Sequence, residues 1–405
     1  MSEPLLMPKP RTGPGAPGPA DAPSPGFSRV VTDTAEAMSI KYNTMVYELQ
    51  RQGVDVVVMS LGEAFFDIPL FRMDDLPFPD IYHYSHSRGI PELREKLAEY
   101  FSDRYDYHFD FEREIIVTAG SKAAIHMTLM SVLDPGDEVL IPEPAWVSYS
   151  EQVRLCHGVP VTTPHDVSIR DIADFVTPRT KALVINTPHN PRGYVYSRDE
   201  LEWLVALARD RGFWLLSDEA YSDFVLDDSF VSLGSIDRGN RHSAVFNSIS
   251  KNYGISGWRL GYVISNPELI YQVLKVNQHL ITCPATILEH YIARHFHEIL
   301  DITLPQIREV VARRRELART MDRIGLRYLP GSATFYFFVS IEDSVLGSEE
   351  FCTRLLHERR VSTVPGVGYG PSCDGFIRVS VGTADMEQNR RGLGEIKELI
   401  EETRR

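Results

Sequence analysis

Residues 243–261 read SAVFNSISKNYGISGWRLG. The apolar run Ala244-Val245-Phe246 predicts a buried strand, Ser243–Asn247, and a second such run predicts Leu260–Ile264. Between them stands Lys251, with the hydroxyls of Ser248 and Ser250 three and one residues before it and Arg259 eight residues after it. This set suits a lysine that forms a Schiff base with a carbonyl cofactor carrying a phosphate. The lysine supplies the imine, and the hydroxyls and the arginine hold the anion. A lone Ser-x-Ser-Lys is more often a solvated surface charge. Gly254, Gly257, Gly261 and Arg259 at their fixed offsets single this one out.

Upstream, further apolar runs predict strands at Glu114–Thr118, Glu138–Ile141, Ala182–Asn186 and Phe213–Ser217. Most are β-branched or aromatic and apolar on both faces, as strands of a parallel sheet covered on both sides are. Helical patterns such as Ala123–Leu133 and Asp199–Arg209 alternate with them, which predicts an α/β domain. In such sheets ligands bind beyond the carboxyl ends of the strands. Gly120-Ser121, Asn186–Asn190, Asp218 and Ser248–Lys251 all fall there. From about Leu304 the pattern changes to one long helix, then a strand (Ala333–Ile341), a helix (Glu349–Arg359), a strand (Phe376–Val381) and a final helix (Met386–Glu402). This reads as a smaller α+β domain joined by residues 29–61. The division expected is 62–305 for the large domain and 29–61 with 306–405 for the small one.

The chain has 405 residues, 43% of them hydrophobic, enough for two domains. A net charge of −14 without a basic stripe excludes a nucleic-acid binder; Arg313-Arg314-Arg315 lies on a helical pattern flanked by Glu309 and Glu316. The four cysteines are far apart with no CxxC pair, which speaks for a reducing, cytoplasmic setting. No run reaches transmembrane length. Residues 1–28 are rich in proline and glycine and read as a disordered tail.

Other residues acquire meaning beside Lys251. Asp218 ends the run Phe213–Leu216 and is either a helix cap or a partner for a pyridinium nitrogen in the crevice. At ~4 Å and an effective dielectric of ~20 such a pair is worth about 4 kcal/mol, enough to keep a pyridine protonated near neutrality. Gly120-Ser121-Lys122 opens a helical pattern and offers free N–H groups to a phosphate, or is an ordinary helix start. Asn190, in the loop 186–193, caps a turn or donates to a cofactor oxygen. Arg378, inside an apolar strand, needs an anion: a substrate carboxylate held bidentately, or an internal salt bridge.

This constellation resembles the class I/II aminotransferases, the pyridoxal-phosphate enzymes of fold type I, from about residue 29 to the end. The resemblance implies that Lys251 binds the cofactor and shuttles the proton, and that Asp218 pairs with the pyridine nitrogen. Asn190 and Tyr221 correspond to donors to the ring's phenolic oxygen. Gly120, Ser121, Lys122, Ser248, Ser250 and Arg259 correspond to the phosphate cup. Trp146 matches the aromatic stacked on the ring, and Arg378 the fork for the substrate α-carboxylate. Gly62 matches the loop that covers the substrate, and Val364-Pro365-Gly366 a turn of the small domain. Tyr84 matches a tyrosine that reaches the phosphate of a neighbouring subunit, which implies a homodimer.

The sequence departs from the family twice. Arg192 stands in Asn190-Pro191-Arg192-Gly193, where a threonine is usual; it adds a charge near the site or points to solvent. Ala64-Phe65-Phe66 replaces Pro-Asp-Phe after Gly62-Glu63; the aromatics shape an apolar substrate pocket or pack the hinge. Arg88 and Arg192 are candidates for a second, distal carboxylate.

The expected reaction is amino transfer between an α-amino acid and a 2-oxo acid. β- or γ-elimination or replacement would use the same lysine and aspartate. A non-catalytic regulator would need a DNA-binding module, which the acidic chain with its short tail does not supply.

Overall fold

The computed structural model describes residues 26–227 and 229–404, so the expectation for the tail falls, but for residues 26–28, outside the described residues. Seven strands form the main sheet in the order Ile115–Thr118, Gly261–Ser265, Ser243–Ser248, Trp214–Asp218, Thr180–Asn186, Glu138–Pro142, Val159–Thr163. All neighbours are parallel except Gly261–Ser265, which runs against both of its own. Each expected strand of this sheet is present within two residues of its expected ends. Val159–Thr163 is an addition, because this partly exposed edge strand, VPVTT, offers no continuous apolar run.

The sheet is buried on both faces. One side carries Leu140, Leu183, Leu215 and Val245 against Leu97, Phe101 and Leu204. The other carries Val139, Val184, Leu216 and Phe246 against Ile125, Leu129 and Val273. Alternate residues of each strand thus face opposite helix layers, which is why the runs read as unbroken apolar segments.

A second, smaller core gathers Val57, Met59, Phe337, Val339, Phe351, Ile377, Val379 and Leu393. Its antiparallel sheet orders Val364–Pro365, Phe376–Ser380 and Tyr336–Ser340, with Arg378 opposite Phe338. The two-residue strand Val57–Val58 pairs with Val361–Ser362 and ties the early segment to this core. The long helix corrects the sequence reading: it runs Phe296–Ile324 and contains Pro305 in its interior. The helical spacing of Ile307, Val310, Val311, Leu317, Ala318 and Met321 placed the start near Leu304. Burial of Phe296, Ile299, Leu300 and Thr303 carries the helix back past it.

Candidate active site

The strand order explains why distant residues meet. Gly261 lies opposite Thr118 on one side and Ser248 on the other. The carboxyl ends of two strands therefore flank the start of the antiparallel one, with Arg259 two residues before it. Gly120 and Ser121 arrive from the first neighbour, Ser248–Lys251 from the second. Asn186 lies opposite Asp218, and Asp218 opposite Phe246, which continues the same edge. Beyond this edge opens a cavity of about 520 Å³ lined by residues of both cores.

Two glycines shape one end of it. A Cβ on Gly120, at φ +91°, would collide with Arg259 Nη2, and one on Gly261 would collide with the backbone of Ser121. The helix Ser121–Val132 thus begins directly beside the Arg259 guanidinium, and its free N–H groups and the cation share one small space. Arg259 Nη1 donates to Ser256 O at 2.5 Å and lies 3.4 Å from Ser250 Oγ. The Ser248 hydroxyl accepts from the Ser250 N–H. Lys122 Nζ lies 4.9 Å from the Trp146 ring centroid, and burial followed by Arg259 lowers its pKa.

Lys251 stands mid-cavity. Its Nζ donates to Gly62 O at 2.5 Å and lies 5.6 Å from the centre of the Tyr221 ring. Burial pulls its pKa from 10.5 down to about 8, with Glu63 acting against that shift. A fair fraction of the amine is therefore neutral, and nucleophilic, near physiological pH. Asp218 is buried; Tyr149 Oη donates to its Oδ2 at 2.6 Å and Ala220 N–H to its Oδ1 at 3.2 Å. Burial raises its pKa despite these donors and Lys251. Asn190 N–H donates to Asn186 Oδ1 at 2.6 Å, and the Asn186 amide to Asp218 O at 2.7 Å, so this loop is pinned to the aspartate.

On the opposite wall Arg378 is buried. It donates to Ser60 O at 2.6 Å and reaches Asn190 Oδ1 at 3.5 Å, while its Nε has no acceptor. Among the described residues it forms no ion pair, so the internal salt bridge weighed from sequence is excluded. Burial opposes its charge, but the hydroxyls of Tyr369, Tyr336 and Tyr221 outweigh it and raise its pKa. Tyr336 Oη and Tyr221 Oη are 2.9 Å apart, and burial first, then Tyr336, holds Tyr221 well above the ordinary phenol value. Tyr221 therefore stays a neutral donor.

Of the residues singled out from sequence, Gly62, Ser121, Lys122, Trp146, Asn190, Asp218, Tyr221, Ser248, Ser250, Lys251, Arg259 and Arg378 line the cavity. Gly120 abuts Arg259 from behind. Tyr84 does not line it and is 86% exposed. Arg192 turns away: its Nε donates to Pro330 O, and its guanidinium lies over Tyr194 in a separate cavity. Arg88 is engaged with the carbonyls of Glu112 and Arg113. Neither candidate for a distal carboxylate therefore faces the cavity. Phe66 stacks on Phe224 and covers Gly254, while Phe65 is 64% exposed beside a neighbouring apolar pocket. Neither aromatic lines the cavity: Phe66 packs beside it, and Phe65 is largely exposed. Tyr149, Tyr336, Glu63, Ile40 and Asn43 were missed. Tyr149 lies within the Pro144–Tyr149 motif, which was the one available signal.

The donor set fits a phosphate-bearing aldehyde with a basic ring. The glycines leave a cradle that a Cβ would fill, Arg259 and Arg378 lack carboxylate partners among the described residues, and Asp218 is a buried carboxylate with no cation in contact. Fold and cavity together define an α/β protein whose cavity, at the carboxyl ends of the strands, gathers a lysine, two arginines and a buried carboxylate.

Comparison with known proteins fixes the family. Residues 73–396 match the model of aminotransferase class I and II, and the chain belongs to that family. It is 32% identical to an aspartate aminotransferase of Pyrococcus abyssi, covering 86% of this chain and 92% of that one. It is 31% identical to aromatic-amino-acid aminotransferase 2 of Thermococcus litoralis, over 87% and 93%. The structure of Thermus thermophilus aspartate aminotransferase with maleate superposes with a TM-score of 0.85 at 32% identity, over 93% and 100%. The protein is an aminotransferase, an enzyme that moves an amino group between an α-amino acid and a 2-oxo acid.

Proposed function

We propose that the reaction runs on pyridoxal 5′-phosphate held at Lys251. The observation that carries this reading is that one cavity holds the Lys251 amine, a buried carboxylate, Asp218, and two guanidiniums, Arg259 and Arg378, without carboxylate partners among the described residues. When bound there, the cofactor supplies the electron sink for a substrate carbanion.

The residues divide the remaining work. Ser121, Lys122, Ser250 and Arg259, with the first N–H groups of the helix Ser121–Val132, hold the phosphate. Asp218 pairs with the ring nitrogen, and a cation there offsets the desolvation that otherwise pushes its carboxyl toward protonation. Tyr149 and the Ala220 N–H fix that carboxylate. Tyr221 and Asn190 donate to the ring's phenolic oxygen, and Trp146 packs on its face. Arg378 takes the substrate α-carboxylate and so orients Cα toward Lys251. The Lys251 amine, when free, would act as the general base that takes the proton from the substrate Cα.

We further infer a cytoplasmic homodimer, with domains dividing near residues 61 and 305. Exposed Tyr84 would reach the partner's phosphate, and the four free cysteines suit a reducing compartment. Among the described residues no helix is long and apolar enough to cross a membrane.

The test is absorbance of the purified protein with pyridoxal phosphate while single amino acids are added. A visible band that bleaches with an amino acid and returns with a 2-oxo acid is expected. Release of pyruvate or ammonia without an oxo-acid acceptor would replace transamination by elimination.

A further inference from the structure

Two carboxylates line the cavity, Asp218 and Glu63. The ring nitrogen accounts for the first. The second faces a space built for anions, where an idle negative charge would only repel them.

Glu63 has a specific partner. The Ser256 hydroxyl donates to its Oε1. Ser256 opens the short turn Ser256–Trp258, and its carbonyl is the acceptor that aims Arg259 Nη1. The adjoining residue is engaged in two more directions. Gly62 O accepts from Lys251 Nζ at 2.5 Å, and a Cβ on Gly62 would stand 3.3 Å from Tyr336 Oη and 3.8 Å from both Arg378 Nη atoms. Two consecutive residues thus touch the reacting amine, the anion-holding turn and the carboxylate-binding wall.

We propose that Glu63 is a positioning residue which, through Ser256, couples the loop over Lys251 to the turn that aims Arg259. Phosphate binding at Arg259 then fixes where Gly62 presents its carbonyl to the lysine amine. The inference rests on the pyridoxal phosphate reading above. Glu63 also favours the protonated form of Lys251, so neutralising it lowers the pH at which that amine loses its proton.

The test compares Glu63→Ala, Glu63→Gln, Ser256→Ala and the double variant Glu63→Ala/Ser256→Ala with the parent in the full-length chain. The readouts are the Kd for pyridoxal phosphate by absorbance titration and the pH of half-maximal uptake. Loss of a charge-assisted hydrogen bond predicts about tenfold weaker binding for Glu63→Ala and for Ser256→Ala. The double variant is expected to lose no more than either single one. Glu63→Gln, whose amide oxygen still accepts from Ser256, regains most of the affinity but takes up cofactor at lower pH. Parent-like affinity and pH midpoint in Glu63→Ala, or losses that multiply in the double variant, overturn the role. A parent that takes up no cofactor overturns the pyridoxal phosphate reading, whereas a parent that binds no better than the Glu63→Ala variant overturns this role alone.

Discussion

On one wall of the cavity Asp218, Ser248 and Gly261 sit at the ends of adjacent strands, and each reactive group has a fixed partner within 3.5 Å. On the other wall Arg378 projects from a separate antiparallel sheet, met by Gly62 from a loop more than three hundred residues away in the chain, and its Nε is left without an acceptor. The difference teaches a division of labour. The first wall is hydrogen-bonded in advance, as chemistry requires of groups that must not reorganise. The second leaves Arg378 Nε open, which suits the substrate-carboxylate role proposed for it. Arg314 sharpens the contrast. It too is buried with one nitrogen, Nη2, unpartnered, but it donates to the carbonyls of Tyr336 and Gly331, lies on Phe337 and does not line the cavity, so place rather than an open donor separates the two arginines.

Substitutions can break this division. Asp218→Asn removes a charge worth about 4 kcal/mol to a ring cation, so kcat should fall about 10³-fold while KM for the amino acid changes little. A chief effect on KM would erase the distinction between the walls. Arg378→Lys keeps the charge but loses the fork; kcat/KM should fall about 10- to 100-fold, with the cofactor spectrum untouched. Loss of cofactor from that variant would place Arg378 on the wrong wall.

Titration gives a smaller effect. Below pH about 8 the Lys251 amine is increasingly protonated, so cofactor uptake by apoprotein should rise up to tenfold per pH unit and level off above that point. Because folding lowers this pKa, the unfolded chain holds the additional proton between about 8 and 10.5, and the apoprotein gains stability as pH rises through that window. Stopped-flow absorbance and thermal melts across pH check both. Arg192→Ala should do least: its guanidinium faces Pro330 and Tyr194, so kinetics with mono- and dicarboxylic donors should stay within about twofold. A selective loss with dicarboxylic donors would return Arg192 to the site.

The first wall was legible in the sequence because its residues directly follow apolar runs, and a doubly covered strand declares both its place and its carboxyl end. That rule put Lys251, Asp218 and Gly120–Lys122 on one edge, while the roles expected of them came from the family resemblance. Tyr149 and Tyr336 carry no such mark. Each matters through one hydroxyl aimed across the fold, at Asp218 and at Tyr221, and aim is set by packing rather than by neighbours in the chain. Arg192 was misleading for the same reason. Its position beside Asn190 is real, but the contact with Pro330 turns it outward.

Reduction of the cofactor-loaded protein with borohydride, followed by peptide mass spectrometry, tests the central claim most directly. The account predicts one stoichiometric pyridoxyl label, on Lys251. A label on Lys122 or another lysine, or none in a protein that still transfers amino groups, would contradict it.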